Sequence, residues 1–105
     1  YFFYFEDIDL CLRIRKMGLR LRYTPRAVAR HSYGTTIYKE GVDRIFYFGY
    51  CSRWRCLFKN ANPLQIFISF FFLSTFTPLY QTILTRHNAF KQMFKGLLYN
   101  FKHGI

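Results

Sequence analysis

YFEDIDLCLRIRKMG, residues 4–18, opens with a knot of acid and closes on a glycine. Carboxylates immediately ahead of an apolar-periodic stretch mark a helix start, where free N–H groups and the helix dipole favour negative charge. Leu10, Ile14 and Met17 then share one helical face, and Gly18 stands where a C-terminal cap is expected. Working outward, the aromatic run 1–5 predicts a short buried strand or strand end. Leu19, Leu21 and Tyr23 alternate with Arg20 and Arg22, the period of a half-buried strand. Thr24-Pro25 breaks that strand, 27–29 predicts a second extended piece ending at Arg30-His31, and 32–36 is a loop. The expectation is a piece of a larger domain.

Three of the five acidic residues, Glu6, Asp7 and Asp9, fall inside this stretch. Two readings stand side by side. Asp7 or Asp9 caps the helix, a contribution of about 0.5–2 kcal/mol. Alternatively, the helix runs out about 15 Å and the following strands run about as far back, so that His31 returns close to Glu6 and Asp7. A carboxylate and an imidazole meeting at strand ends suit base catalysis or metal binding.

The rest of the chain is helical in pattern. Residues 38–60 place Val42, Ile45, Phe46 and Gly49 on one side, and Arg44, Arg53, Arg55 and Lys59 add positive charge. Pro63 opens the next segment, a favoured first-turn position. Residues 64–84 hold no charged side chain and, as one helix, would reach roughly 30 Å, about the thickness of a bilayer core. Ser69, Ser74, Thr75, Thr77, Pro78 and Gln81 interrupt it, and basic residues flank both ends. The readings are a helix or broken helix lying in one leaflet, a spanning helix, and a buried core helix. Residues 88–105 place Phe90, Met93, Phe94, Leu97, Phe101 and Ile105 on one face with Lys91, Lys95 and Lys102 beside it. That is the pattern of an interfacial helix with snorkelling lysines, or of a helix packed on its own domain.

Composition narrows the partners. Apolar residues make up 51% of the 105 and aromatics 23%, enough surface to bury that disorder is excluded. A net charge of +11 in so aromatic a chain points to an anionic membrane surface or a nucleic acid. The absence of a helix-turn-helix, finger or RNA-recognition motif, with the long uncharged stretch, argues against nucleic acid. Cys11, Cys51 and Cys56 form no CxxC pair, and reduced thiols are expected.

The run YFEDIDLCLRIRKMG followed by LRLRYTPRAVARHSYGTT resembles the end of the catalytic domain of family 2 glycosyltransferases, especially rhamnosyltransferase-like members. The matching positions are Phe2 or Phe3, Glu6, Asp7, Asp9, Leu10, Arg13, Gly18, His31, Gly34 and Thr35. Arg53, Lys59, Asn60 and Pro63 fit the helix that follows, with Trp54 where the family usually carries Asn. The resemblance implies the C-terminal edge of a GT-A α/β domain over residues 1–36, a connecting basic helix over 37–62, and apolar and amphipathic membrane-associated helices over 63–105. It implies an inverting transfer of a sugar from a nucleotide-diphosphate donor to a hydroxyl of a saccharide or lipid-linked acceptor, in cell-surface polysaccharide or glycolipid synthesis, at the cytoplasmic face of the membrane. Asp7 would be the general base, and Glu6 would orient the acceptor or hold the loop. His31 would help hold a divalent Mg or Mn ion bound mainly by an N-terminal half. Asp9, Arg13 and Gly34 would be structural or acceptor-side. The nucleotide-binding strands and an Asp-x-Asp preceded by β/α units do not occur in this chain; Asp7-Ile8-Asp9 has that spacing but sits in the acceptor-side motif, so the chain by itself is expected to be inactive. The competing reading is a basic membrane-binding module without chemistry.

Overall fold

The computed structural model describes residues 4–30 and 41–104. Five helices follow in order: α1 (Glu6–Lys16), α2 (Val42–Asn60), α3 (Pro63–Ser74), α4 (Phe76–Thr85) and α5 (Ala89–His103). Among the described residues there is no strand, which overturns the expected α/β edge of a GT-A domain. Residues 19–23 and 27–29 keep their alternation but run as exposed coil, with Tyr23 91% accessible. Helical hydrogen bonds close within a segment, whereas a strand needs a neighbour to take its N–H and C=O groups. No neighbouring strand is present among the described residues. Ahead of α1, Tyr4 and Phe5 adopt the left-handed region, with φ of 62° and 66°, rather than an extended conformation.

The helix boundaries follow from local chemistry. Gly18, at φ 77°, lets Leu19 N–H reach the Ile14 carbonyl at 3.2 Å while its own N–H reaches Arg15 at 3.0 Å. That pair of bonds is the left-handed glycine cap expected from the sequence. The acids cap differently from the expectation. Phe5 is the N-cap of α1 and makes no side-chain bond, while Asp7 and Asp9 lie inside the first turn. α3 starts with a reciprocal capping box: Asn62 Oδ1 accepts the Gln65 N–H at 2.9 Å, and Gln65 Oε1 accepts the Asn62 N–H at 3.0 Å. Pro63 occupies the first turn as expected.

α3 and α4 form one kinked rod rather than a straight helix. Pro78 has no N–H for the Ser74 carbonyl, and its ring crowds that carbonyl. The chain bends at Thr75, with φ −116° and ψ −72°. Hydroxyls take up carbonyls near the bend: Ser74 Oγ donates to Phe70, Thr75 Oγ1 to Phe71 at 2.6 Å, and Thr77 Oγ1 to Phe72 at 3.2 Å.

The core lies where α2 crosses α5. Tyr50, Trp54 and Met93 are buried there, with Phe46, Leu57, Phe58, Leu73, Phe90 and Leu97 packed around them. Gly96 permits the approach, since a Cβ on it would stand 2.9 Å from both Cys51 N and Tyr50 Cβ. Asn100, fully buried, donates to the carbonyls of Cys51 and Gly96 at 2.9 Å each and accepts from Arg55 Nε at 3.3 Å. The buried line of α5 is therefore Ala89, Gln92, Met93, Gly96 and Asn100. Of the expected apolar face, Phe90, Met93 and Leu97 pack inward, Phe94 and Phe101 stay exposed, and Ile105 lies outside the described residues. A fully buried Asn that satisfies two carbonyls, beside a glycine that closes the gap, displaces larger apolar side chains from the contact. All three cysteines are reduced thiols.

Candidate active site

α1 is held against the C-terminal end of α2 by Asp9. Its carboxylate is 4% exposed, accepts from Arg13 Nε at 2.9 Å through Oδ2, and accepts from Asn60 Nδ2 at 2.8 Å through Oδ1. Lys16 Nζ adds bonds to the Lys59 carbonyl at 3.2 Å and to Asn60 Oδ1 at 3.1 Å. Asp9 thus faces inward, and Glu6 and Asp7, three and two residues earlier on the same turn, face solvent.

Glu6 and Asp7 stand at the edge of a cleft of about 450 Å³ between the start of α1 and the middle of α2. Asp7 Oδ1 accepts the N–H of Ile8 at 2.8 Å. Among the described residues neither Glu6 nor Asp7 enters an ion pair. Ile45, Phe46 and Gly49 line the α2 side, the face expected from the 3.6-residue period. Deeper in, the guanidinium of Arg53 lies 5.5 Å from the Phe5 ring and 5.7 Å from the Tyr50 ring. Burial lowers the Arg53 pKa from its ordinary value, and the Tyr50 hydroxyl opposes that shift. Tyr50 donates to Gln81 Oε1 at 2.7 Å, tying the cleft to α4, and burial pushes its phenol up to about 12.

The cleft therefore offers an open carboxylate pair at its mouth and a fixed cation on its inner wall. An open carboxylate can accept a proton from a hydroxyl, and a half-buried guanidinium can balance an anionic group. His31 and Gly34 lie outside the described residues. Among the described residues no group of three or more His, Cys, Asp or Glu side chains is disposed to hold a metal ion, and Asp9 is committed to Arg13 and Asn60. Arg53 was not singled out as a site residue by the sequence. The sequence marks it only as one of the basic residues of this helix and as a match to the helix that follows the family's catalytic domain; its place on the cleft face comes from spacing, since it follows Phe46 and Gly49 by seven and four residues.

The chain is similar to glycosyltransferases over about half its length. It is 58% identical over 54 residues to the rhamnosyltransferase WbbL of Escherichia coli K12, a match that covers 51% of this chain and 18% of that protein. It is 41% identical over 44 residues to the pre-mycofactocin glycosyltransferase of Mycobacterium tuberculosis, covering 42% of this chain and 9% of that protein. The chain thus spans less than a fifth of the length of these curated relatives. No protein-family model matches it, and no solved structure does.

Proposed function

We propose that this chain is the acceptor-side portion of a glycosyltransferase, of rhamnosyltransferase type, working at the cytoplasmic surface of a membrane. The donor is a nucleotide-diphosphate sugar, and the acceptor is a hydroxyl of a saccharide or lipid-linked saccharide. The observation that carries this reading is the open Asp7 carboxylate at the mouth of a cleft whose inner wall holds Arg53. Asp7 takes the acceptor proton while the hydroxyl oxygen bonds to the anomeric carbon. The bond from that carbon to the diphosphate breaks in the same displacement, its electron pair leaves on the diphosphate, and the configuration inverts. Glu6 orients the acceptor, and Arg53 balances an anionic part of the bound substrates.

The test is Asp7→Asn in the complete enzyme, with turnover and donor affinity measured together. Turnover should fall about 10²- to 10⁴-fold, the usual worth of a positioned base, with donor affinity unchanged. Near-normal turnover would remove Asp7 from the role.

A second reading has its own observation. Across the Pro63–Thr85 rod, 6% of the most apolar window is buried, and the rod is long and apolar enough to cross a membrane. A basic membrane-binding module without chemistry accounts for that surface. It predicts that Asp7→Asn leaves the protein's biological output intact.

A further inference from the structure

α2 lines a second cavity on another face. Ile45, Gly49 and Arg53 look into the cleft described above, whereas Arg44 and Tyr47 line a different pocket of about 500 Å³ against α5. Tyr47 and Gly49 are two residues apart, about 200° around the helix. The two cavities therefore lie on opposite sides of α2.

The second pocket gathers positive charge from two helices. Arg44 comes from the first turn of α2, and Lys95, Lys102 and His103 come from α5. Lys95 and Lys102 are seven residues apart and share one α5 face. Asp43 is the one acidic side chain among the described lining residues, and its Oδ1 lies 3.2 Å from His87 Nδ1. The walls are aromatic and ordered: Tyr47 and Tyr99 meet edge to face at 6.2 Å, and the His103 ring lies 4.5 Å from Tyr99. Arg55 approaches Tyr99 from another side, at 5.9 Å. Here cations from different helices surround one concave, aromatic-walled space.

We propose that this pocket binds a phosphate ester. Arginine supplies a planar fork of donors to phosphate oxygens, lysine supplies point charges, and the tyrosine rings bound the site. The source with the best fit is the headgroup of an anionic membrane lipid. Phe94, Leu98 and Phe101 form an exposed apolar stripe on α5, and Leu98 also lines the pocket, so an acyl chain has a surface to follow. The inference does not depend on Asp7.

The test uses the intact chain and two charge-matched variants. One is Arg44→Gln/Lys95→Gln/Lys102→Gln, in the pocket. The other is Arg20→Gln/Arg22→Gln/Arg26→Gln, in the exposed coil after α1. Affinity is measured for phosphatidylglycerol–phosphatidylcholine vesicles and for phosphatidylcholine vesicles, and the ratio of the two is read. The pocket variant should lose about a hundredfold of the anionic preference, at the usual worth of a basic residue near such a surface, and the coil variant less than about threefold. Glycerol 1-phosphate in solution separates the sources. If it shifts the Tyr99 and His103 ring resonances of the parent chain while neither vesicle preference nor its loss is seen, the pocket takes a free phosphate ester. If the pocket variant loses helicity, Lys95→Gln alone carries the reading, with about a fivefold loss. Equal losses in the two triple variants, or no loss together with no resonance shift, would overturn the proposal.

Discussion

Single residues divide this acidic stretch into two jobs. Asp9 is buried and bound by Arg13 and Asn60, whereas Asp7 is exposed beside a cleft. The Arg13 side chain is 62% exposed, so its pairing with Asp9 is screened and contributes about 1 kcal/mol at most. The Asn60 bond reaches a buried oxygen, and its loss costs more. Asn60→Leu should destabilise the fold by about 1–3 kcal/mol in chemical denaturation and speed amide exchange in α1, because it removes a donor to a buried carboxylate. Tyr50 makes a pH-dependent contribution. Its folded-state pKa of about 12 lies above the ordinary 10.0, because burial disfavours the phenolate. The unfolded chain therefore releases this proton first. The stabilisation is whole below pH 10 and is lost as pH climbs toward 12. Burial also raises the Tyr47 phenol and the Cys51 thiol, with the same sign. Helicity followed from pH 9 to 12 should fall, and Tyr50→Phe should flatten that fall while losing the bond to Gln81.

At the level of helices, glycines separate close packing from open space. Gly96→Ala drives a methyl to 2.9 Å from Cys51 N and Tyr50 Cβ, and part of that contact is backbone. The α2–α5 crossing must widen, at about 1–3 kcal/mol, against which alanine returns up to about 1 kcal/mol of helix propensity. Gly49→Ala meets only Tyr4 Cδ2, at 3.9 Å, so propensity dominates and the helix gains about 0.5–1 kcal/mol. Thermal unfolding of both variants should therefore show shifts of opposite sign. The same contrast explains what could be read in the sequence. α1 with its Gly18 stop, α2, the interrupted α3–α4 rod and α5 all follow from periodicity and caps, since their hydrogen bonds are local. The strands at 19–23 and 27–29 do not form, because alternation states a preference and only a partner strand can satisfy it. The Glu6–Asp7 pair stood out by chemistry, but Arg53 lies 46 positions from Asp7 and reaches the cleft only once Asp9 and Asn60 have docked α1. The period of α5 does not separate Phe94 and Phe101, which stay exposed, from the residues that pack inward, because no period reveals that Gly96 and Asn100 make the tightest contact.

Under the proposed membrane reading, the molecule as a whole decides how the α3–α4 rod would meet a bilayer. Two residues separate the start of the rod from the end of α2, and just past the rod's far end His87 lies 3.2 Å from Asp43, in the first turn of α2. Near that far end, Gln81 accepts from Tyr50. The rod therefore runs back alongside α2, tied to it at both ends. If it crossed the membrane, α2 would cross with it and carry Arg53 and Arg55 to mid-depth. Each such cation costs about 2.5–3.5 kcal/mol on insertion scales. Lying in the interface avoids that cost. The exposed Phe67, Phe71, Leu79 and Ile83 can then enter the acyl region while the cations of α2 remain near headgroups and water. The two ends of the rod must then face the same compartment. Lys59→Cys and His87→Cys, introduced separately and bound to sealed vesicles from outside, should both react with a membrane-impermeant maleimide, above the labelling of the parent chain with its half-buried Cys11. Protection of one site and reaction of the other would establish a crossing and would require α2 to unpack from the rod. At high salt a purely electrostatic adsorption would release, whereas an interfacial insertion through these aromatics should persist, so vesicle flotation above about 0.5 M salt checks the same geometry by a route independent of labelling.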